Sequence, residues 1–182
     1  VETGQRVFES IDHHGLDIRR AAFLEGESPY PYIGAFQAAL FLTANEADVL
    51  SATNAGYPAG LVMHSEVADD LDDGALRVAF DFDGVLADDE SESMFQKGLA
   101  AFEQYEVERV DEPHRPGPLA LLFRKLAMLQ QLEVQAEAED PDYKPMLRTA
   151  IVTARGAPTH NRLVTTLKSW GVSANETFLL GG

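Results

Sequence analysis

The stretch Leu76-Arg-Val-Ala-Phe80-Asp81-Phe-Asp83-Gly84-Val-Leu86 decides the fold: an apolar run passes directly into two carboxylates and a glycine. A short apolar run bounded by turn residues reads as a strand of a parallel sheet. Side chains repeat every two residues along a strand, so Asp81 and Asp83 project the same way if the strand persists. The carboxyl ends of strands in α/β sheets are where ligands sit, and Gly84 lets the backbone turn sharply there. Phosphoryl transfer needs such a pair: one carboxylate attacks phosphorus, and the other protonates the leaving oxygen and later activates water. Two acids this close repel at neutral pH, which implies a hard, oxygen-seeking cation, most naturally Mg²⁺. The competing reading is an acidic turn that merely ends a strand, since Asp and Gly are common turn residues.

Outward from this stretch, the second half continues as alternating elements. A helix is predicted from about Ser93 to Tyr105, and Pro113, Pro116 and Pro118 break the chain before another at about Leu119 to Glu137. A strand follows at Leu147 to Val152, then a helix from Pro158 and Thr159 to Trp170, stopped by Gly171, and an apolar strand at Thr177 to Leu180. Ile151-Val-Thr153-Ala154-Arg155 strengthens the phosphoryl reading, because a second buried strand ends in a hydroxyl and a cation ahead of a helix. Thr153 and the N–H groups of that turn, Ala154 included, can hold phosphate oxygens, helped by a helix N-terminus. Arg155 can add a charge-assisted contact.

The first half shows a similar alternation. Residues 4 to 14 read as a helix capped by Thr3 and stopped by Gly15; a short strand spans Ile18 to Leu24; and Gly26-Glu-Ser-Pro29-Tyr30-Pro31-Tyr32 is loop. A brief helix at Ile33 to Gln37, a buried strand at Ala39-Leu-Phe-Leu42, a helix over 45–54 capped by Asn45 and ended by Gly56, and a strand from Ala59 to Met63 complete it. His64 to Gly74, with Glu66, Asp69, Asp70, Asp72 and Asp73, has the polarity of a linker. The expected units are therefore 1–63, a linker at 64–75, and a core at 76–182. An offset of 156 lays Gln5 to Gly26 over Asn161 to Gly182, pairing Arg6 with Arg162, Gly15 with Gly171, and Ile11 with Leu167. Either the two halves share an ancestral unit or any helix–glycine–strand unit would match this way.

Composition narrows the classes. A formal charge of −16 argues against a nucleic-acid polymer as partner, because backbone affinity needs clustered Lys and Arg. The absence of cysteine removes disulfides and thiolate metal sites and fits a cytoplasmic setting. No apolar stretch approaches the roughly 20 residues of a membrane span, so no membrane partner is expected. A core of fair size is affordable, with 45% hydrophobic residues. His13 and His14 are adjacent at a helix end, poor geometry for joint ligation; His160, in the first turn after the Thr153 segment, is a candidate substrate contact. No Ser–His–Asp arrangement or glycine-rich nucleotide loop is legible.

Asp81-x-Asp83-x-x-Leu86 followed by Thr153 resembles motifs one and two of the haloacid dehalogenase superfamily of phosphohydrolases. More narrowly, Phe80-Asp-Phe-Asp-Gly-Val-Leu-Ala-Asp-Asp-Glu-Ser-Glu92, Thr153-Ala-Arg-Gly-Ala-Pro-Thr-His160 and Ser28-Pro-Tyr-Pro-Tyr32 resemble the cytosolic 5′-nucleotidase I family and its bacterial relatives. The resemblance implies an α/β, Rossmann-like core with a parallel sheet and a mainly helical cap, about 93–145, between the two motifs. It implies Asp81 as the nucleophile that becomes aspartyl phosphate and Asp83 as general acid/base. The Asp81 carboxylate and the Asp83 carbonyl would ligate Mg²⁺, Thr153 would bind phosphate, and the substrate would be a nucleoside 5′-monophosphate. Phe95, Phe102 and Tyr105 either form part of a base-binding surface or are the apolar face of a cap helix. Asp88, Asp89, Glu90 and Glu92 either include a metal or ribose contact or, for most of them, form a solvated acidic turn.

The superfamily also uses a lysine and a later acidic strand end, and Gly182 closes the chain before either, so the core is expected to be truncated. Phe41-Leu-Thr-Ala-Asn45-Glu46-Ala-Asp48-Val49 resembles a fourth superfamily motif with Asn45 in place of its first acid and Asp48 kept. Residues 1–63 are thus a degenerate copy, the favoured reading, or complete the sheet of the second half in permuted order. In the former, Pro29, Tyr30, Pro31 and Tyr32 line an interface or substrate edge. A homo-oligomer stays open. The alternatives to a nucleotidase are another small phosphomonoester phosphatase or a non-catalytic nucleotide-binding or oligomerisation fragment.

Overall fold

A computed structural model describes residues 2–66, 68, 70 and 72–181. The chain divides into two compact units, 1–63 and 64–182. Asp69 of the expected acidic linker, and the Gly182 end of the sequence repeat, lie outside the described residues.

In the second unit, strands β3 (Leu76–Asp81), β4 (Leu147–Thr153) and β5 (Glu176–Leu179) form a parallel sheet in the order β3-β4-β5. Leu147, Thr149, Ile151 and Thr153 of the central strand are all buried, the period-2 pattern of a strand with one fully covered face. Helix α6 (Ala120–Glu139) covers the sheet through Phe123, whose ring meets Phe80 edge-on at 5.3 Å. Helix α7 (His160–Trp170) adds Leu163 and Leu167 to the same core as Phe80, Phe82, Leu86 and Ile151. The mixed α/β architecture, with its parallel sheet and mainly helical 92–139 segment, is that of a Rossmann-like core.

Two predicted boundaries in this unit change. The helix expected from Ser93 to Tyr105 is two helices, α4 (Glu92–Phe95) and α5 (Leu99–Glu108), because Gly98 takes φ 114° and breaks the ladder between them. Helix α7 begins at His160 rather than Pro158; Thr159 is its N-cap residue.

In the first unit, α1 (Glu2–His13) starts ahead of Thr3, so that residue lies inside the helix and is not its cap. A short turn at Tyr30–Tyr32 leads into α2 (Ile33–Phe36). Strands β1 (Phe41–Thr43) and β2 (Ala59–Leu61) pair in parallel, joined by α3 (Glu46–Asn54), whose predicted cap is in place: the Ala47 N–H donates to Asn45 Oδ1 at 3.0 Å. The strand expected at Ile18 to Leu24 is not formed; that segment has no ladder partner and packs back on α1 through Phe23, edge-on to Phe8 at 6.0 Å. The strand predicted as buried at Ala39 to Leu42 is displaced to Phe41–Thr43 and only half-covered, with Leu42 60% exposed.

Candidate active site

Asp81 closes β3 and pairs in register with Val152, so Asp81 and Thr153 stand at the carboxyl ends of neighbouring strands. After Asp81 the chain enters a tight loop, Phe82–Leu86, in which Gly84 takes φ 71°. That loop is clamped from outside. The Gly117 N–H donates to Leu86 O at 2.7 Å and the Leu119 N–H to Val85 O at 3.0 Å. A Cβ on Gly117 would fall 2.3 Å from Ala87 O, so only glycine allows this approach. The Asp81 side chain accepts from the Phe82 N–H at 2.7 Å and is exposed.

Asp83 faces Arg155 in a two-armed pair: Nε donates to Oδ2 at 2.8 Å and Nη2 to Oδ1 at 2.6 Å. Arg155 is buried, and its third arm donates to Glu106. Burial would lower its pKa, but Asp83 and Glu106 beside it outweigh that and raise it. Thr153 is also buried, and its Oγ1 accepts the Arg155 N–H at 3.2 Å, which ties the end of β4 to the turn.

The side chains missed in the sequence centre on Glu106 of α5, which is 1% exposed. Its Oε1 accepts from Ser91 Oγ at 2.6 Å and Arg162 Nη1 at 3.1 Å, while Oε2 meets Arg155 Nη1 and lies 3.2 Å from His114 Nε2. Burial alone would raise this carboxyl; the bonds from His114, Arg155 and Ser91 outweigh it and lower its pKa to about 2. Arg162 continues outward to Glu90 at 2.6 Å, and Arg115 pairs with Asp88 at 2.8 Å. Asp88 and Glu90 are therefore engaged rather than solvated. A sequence signal existed: Glu106 falls four residues after Phe102, on the buried stripe of α5.

Between these elements lies a cavity of about 340 Å³. Asp83 and Gly84 border it on one side, Ala154, Arg155 and Thr159 on another, and Phe95, Leu99 and Phe102 form its apolar wall. Phe95 and Phe102 meet edge-on at 5.8 Å. Tyr105 takes no part in this wall: Arg109 stacks on its ring at 4.1 Å. His160, expected near substrate, is not among the cavity's lining residues, and neither are Asp81 and Thr153, whose neighbours Asp83 and Ala154 line it. Asn45 and Asp48 belong to the first unit, where Asn45 caps α3 and Asp48 lies in its first turn.

The donor chemistry suits a hard cation. One Asp81 oxygen is bonded to the Phe82 N–H, leaving the other as a donor, and the Asp83 carbonyl follows two residues on; both are oxygen ligands. The Asp83 side chain is taken by Arg155, so only its main chain suits that role. A second group, Asp88, Glu90 and His114, brings ligand atoms within 4.8 Å of one another, but Arg115 and Arg162 already neutralise its carboxylates.

The sequence model of the 5′-nucleotidase family matches residues 1–182. The chain belongs to the 5′-nucleotidase family. Human (Homo sapiens) cytosolic 5′-nucleotidase 1B is 32% identical over 183 residues, a match covering 100% of this chain and 30% of that protein. The chain thus spans under a third of the length of that relative. No solved structure matches it. Within this 5′-nucleotidase family chain the strand-end carboxylates, the buried threonine and the aromatic-walled cavity all lie in the second unit. No helix among the described residues is long and apolar enough to cross a membrane.

Proposed function

We propose that the chain is the catalytic part of a magnesium-dependent phosphatase that hydrolyses nucleoside 5′-monophosphates to nucleoside and phosphate. The observation that carries this reading is the placement of Asp81 and Thr153 at adjacent strand ends, with Asp83 opening on a cavity whose far wall is aromatic. The family membership and the human relative's name support the substrate class, and that name also favours a cytoplasmic setting.

In this mechanism an Asp81 carboxylate oxygen attacks phosphorus in line, the bond to the nucleoside 5′-oxygen breaks, and Asp83, protonated in the substrate complex, gives that oxygen its proton. Water then attacks the phosphorus of the aspartyl phosphate and passes its proton to Asp83. The bond to Asp81 breaks, and both groups return to their starting forms. Asp83 has both oxygens on Arg155, so each transfer requires one of these bonds to open toward the cavity. The Thr153 hydroxyl and the turn through Ala154 hold the transferred phosphate. Phe95 and Phe102 supply an apolar face against which a base can stack. The Asp81 carboxylate and the Asp83 carbonyl would hold Mg²⁺, which would offset the charge of the phosphate.

Arg155, the one cation lining the cavity among the described residues, is already paired with Asp83 and Glu106. The substrate phosphate therefore depends on the metal and on N–H and hydroxyl donors. Phosphate release is measured from AMP, IMP, dCMP and a sugar phosphate, with and without Mg²⁺. Preferential, Mg²⁺-dependent release from the nucleotides is expected. Equal turnover of all four points to a general phosphomonoesterase instead, and nucleotide binding without release points to a binding module. We read 1–63 as the degenerate copy, in which Asn45 serves as a helix cap and Asp48 has no role in turnover.

A further inference from the structure

We infer that Glu106 is a positioning residue: from α5 it holds Arg155, and Arg155 in turn holds the Asp83 carboxylate at the cavity. The inference rests on the acid/base reading of Asp83 given above. It begins with how the donors of Arg155 are shared. Nε and Nη2 both go to Asp83, while Nη1 goes to Glu106, with Thr159 O at a long 3.4 Å. The guanidinium lies between two rings, its carbon 5.2 Å from the centroids of both Phe82 and Phe102. Those rings restrict it to a slot. Within the slot, Glu106 is the one charged anchor opposite Asp83 among the described residues.

The two ends of this relay differ. The Asp83 side chain is 38% exposed, and the Glu106 side chain is fully buried. A partly exposed carboxylate at the mouth of a cavity has several orientations open to it. A two-armed bond to a fixed guanidinium leaves one. The guanidinium is fixed because its other counter-charge cannot move: Glu106 is bound on its far oxygen by Ser91 and Arg162, from the start of α4 and from α7. A residue on the helical segment between the two motifs thereby sets the orientation of a strand-end carboxylate. A network that served stability alone would not need one member to reach Asp83.

The division of labour on Glu106 supplies the test. Glu106→Gln keeps size and removes the charge that faces Arg155. Thr166→Val is the matched control, removing a buried hydroxyl that accepts the His114 N–H at 3.0 Å and donates to Arg162 O at 2.8 Å, away from Arg155. Four quantities are read: kcat and KM for AMP with Mg²⁺, the melting temperature, and the Arg155 Nε–H resonance in a nitrogen-edited NMR spectrum.

Both variants are expected to melt lower. Only Glu106→Gln should lose kcat, by about 10- to 100-fold, with KM within about twofold, and only it should move the Arg155 resonance. Glu106→Asp, which restores the charge one methylene short, should recover part of the rate; it also carries the test if Glu106→Gln fails to fold. A Glu106→Gln enzyme whose kcat falls no further than that of Thr166→Val overturns the inference. If the unaltered protein releases no phosphate, the functional reading fails separately and the resonance decides alone: an Arg155 signal unmoved in Glu106→Gln overturns the relay.

Discussion

In α1 the chain leaves the helix through Gly15 at φ 62°, and the Leu16 N–H donates back to Ile11 O at 3.0 Å. In α7 it leaves through Gly171 at φ 66°, and the Val172 N–H donates to Leu167 O at 3.1 Å. The two caps use equivalent residues at the offset of 156, and both are Schellman closures. Further on, Glu25 and its equivalent Gly181 both take positive φ, at 53° and 65°. The stretches part company in what they pack against. Leu163 of α7 is 1% exposed, whereas its equivalent Val7 is 40% exposed; residues 176–179 join β4 as a strand, whereas 20–23 join none. Helix ends are written in local sequence. Burial and strand pairing depend on the partner, and α7 has beside it, within its own unit, a sheet whose central strand β4 ends at Thr153.

The comparison can be broken at the helix faces. Leu163→Ala should destabilise the second unit by about 2–5 kcal/mol in denaturant titration, and Val7→Ala by less than about 1 kcal/mol, because only the former leaves a cavity. Equal losses would mean that Val7 is packed as closely as Leu163.

A nearly comparable effect is expected from the charge that anchors α5 to α7. The folded pKa of Glu106, about 2, lies below its ordinary 4.5, so its contribution is present above pH 4.5 and is lost as the pH falls toward 2. The stake is on the order of 3 kcal/mol. Melting temperature measured across that window should fall more steeply for the unaltered protein than for Glu106→Gln, and parallel curves would contradict this. Smaller again are the caps, where the two regions should behave alike. A Cβ on Gly15 or Gly171 meets no atom within 4 Å, so Ala at either site incurs only the left-handed backbone penalty, about 1 kcal/mol. A large difference between Gly15→Ala and Gly171→Ala would show that the caps are not equivalent.

Much of the second unit was legible because its signals are local. The apolar runs of β3, β4 and β5 and the Gly171 stop each lie within a few residues of what they specify, as does the Asn45 cap in the first unit. The carboxylate pair stood out for the same reason. The strand expected at Ile18 to Leu24 failed because strand composition cannot supply a hydrogen-bonding neighbour. The sequence around Arg155 points to Thr153 beside it and not to its two carboxylate partners, which are 72 and 49 residues away in sequence. Glu106, His114 and Arg162 went unseen for that reason also: a buried ion network has no spacing rule. Only the position of Glu106 on an otherwise apolar stripe hinted at it.

The central claim is that the second unit carries the nucleophile and that the nucleophile is Asp81. Its most direct test is an acid quench of the chain turning over AMP radiolabelled in its phosphate, with Mg²⁺, followed by peptide mapping. Covalent label is expected on the peptide containing Asp81 and none in Asp81→Asn, which should also lose turnover by at least about a thousandfold while melting normally. Phosphate release without label on that peptide, or turnover retained in Asp81→Asn, would contradict it.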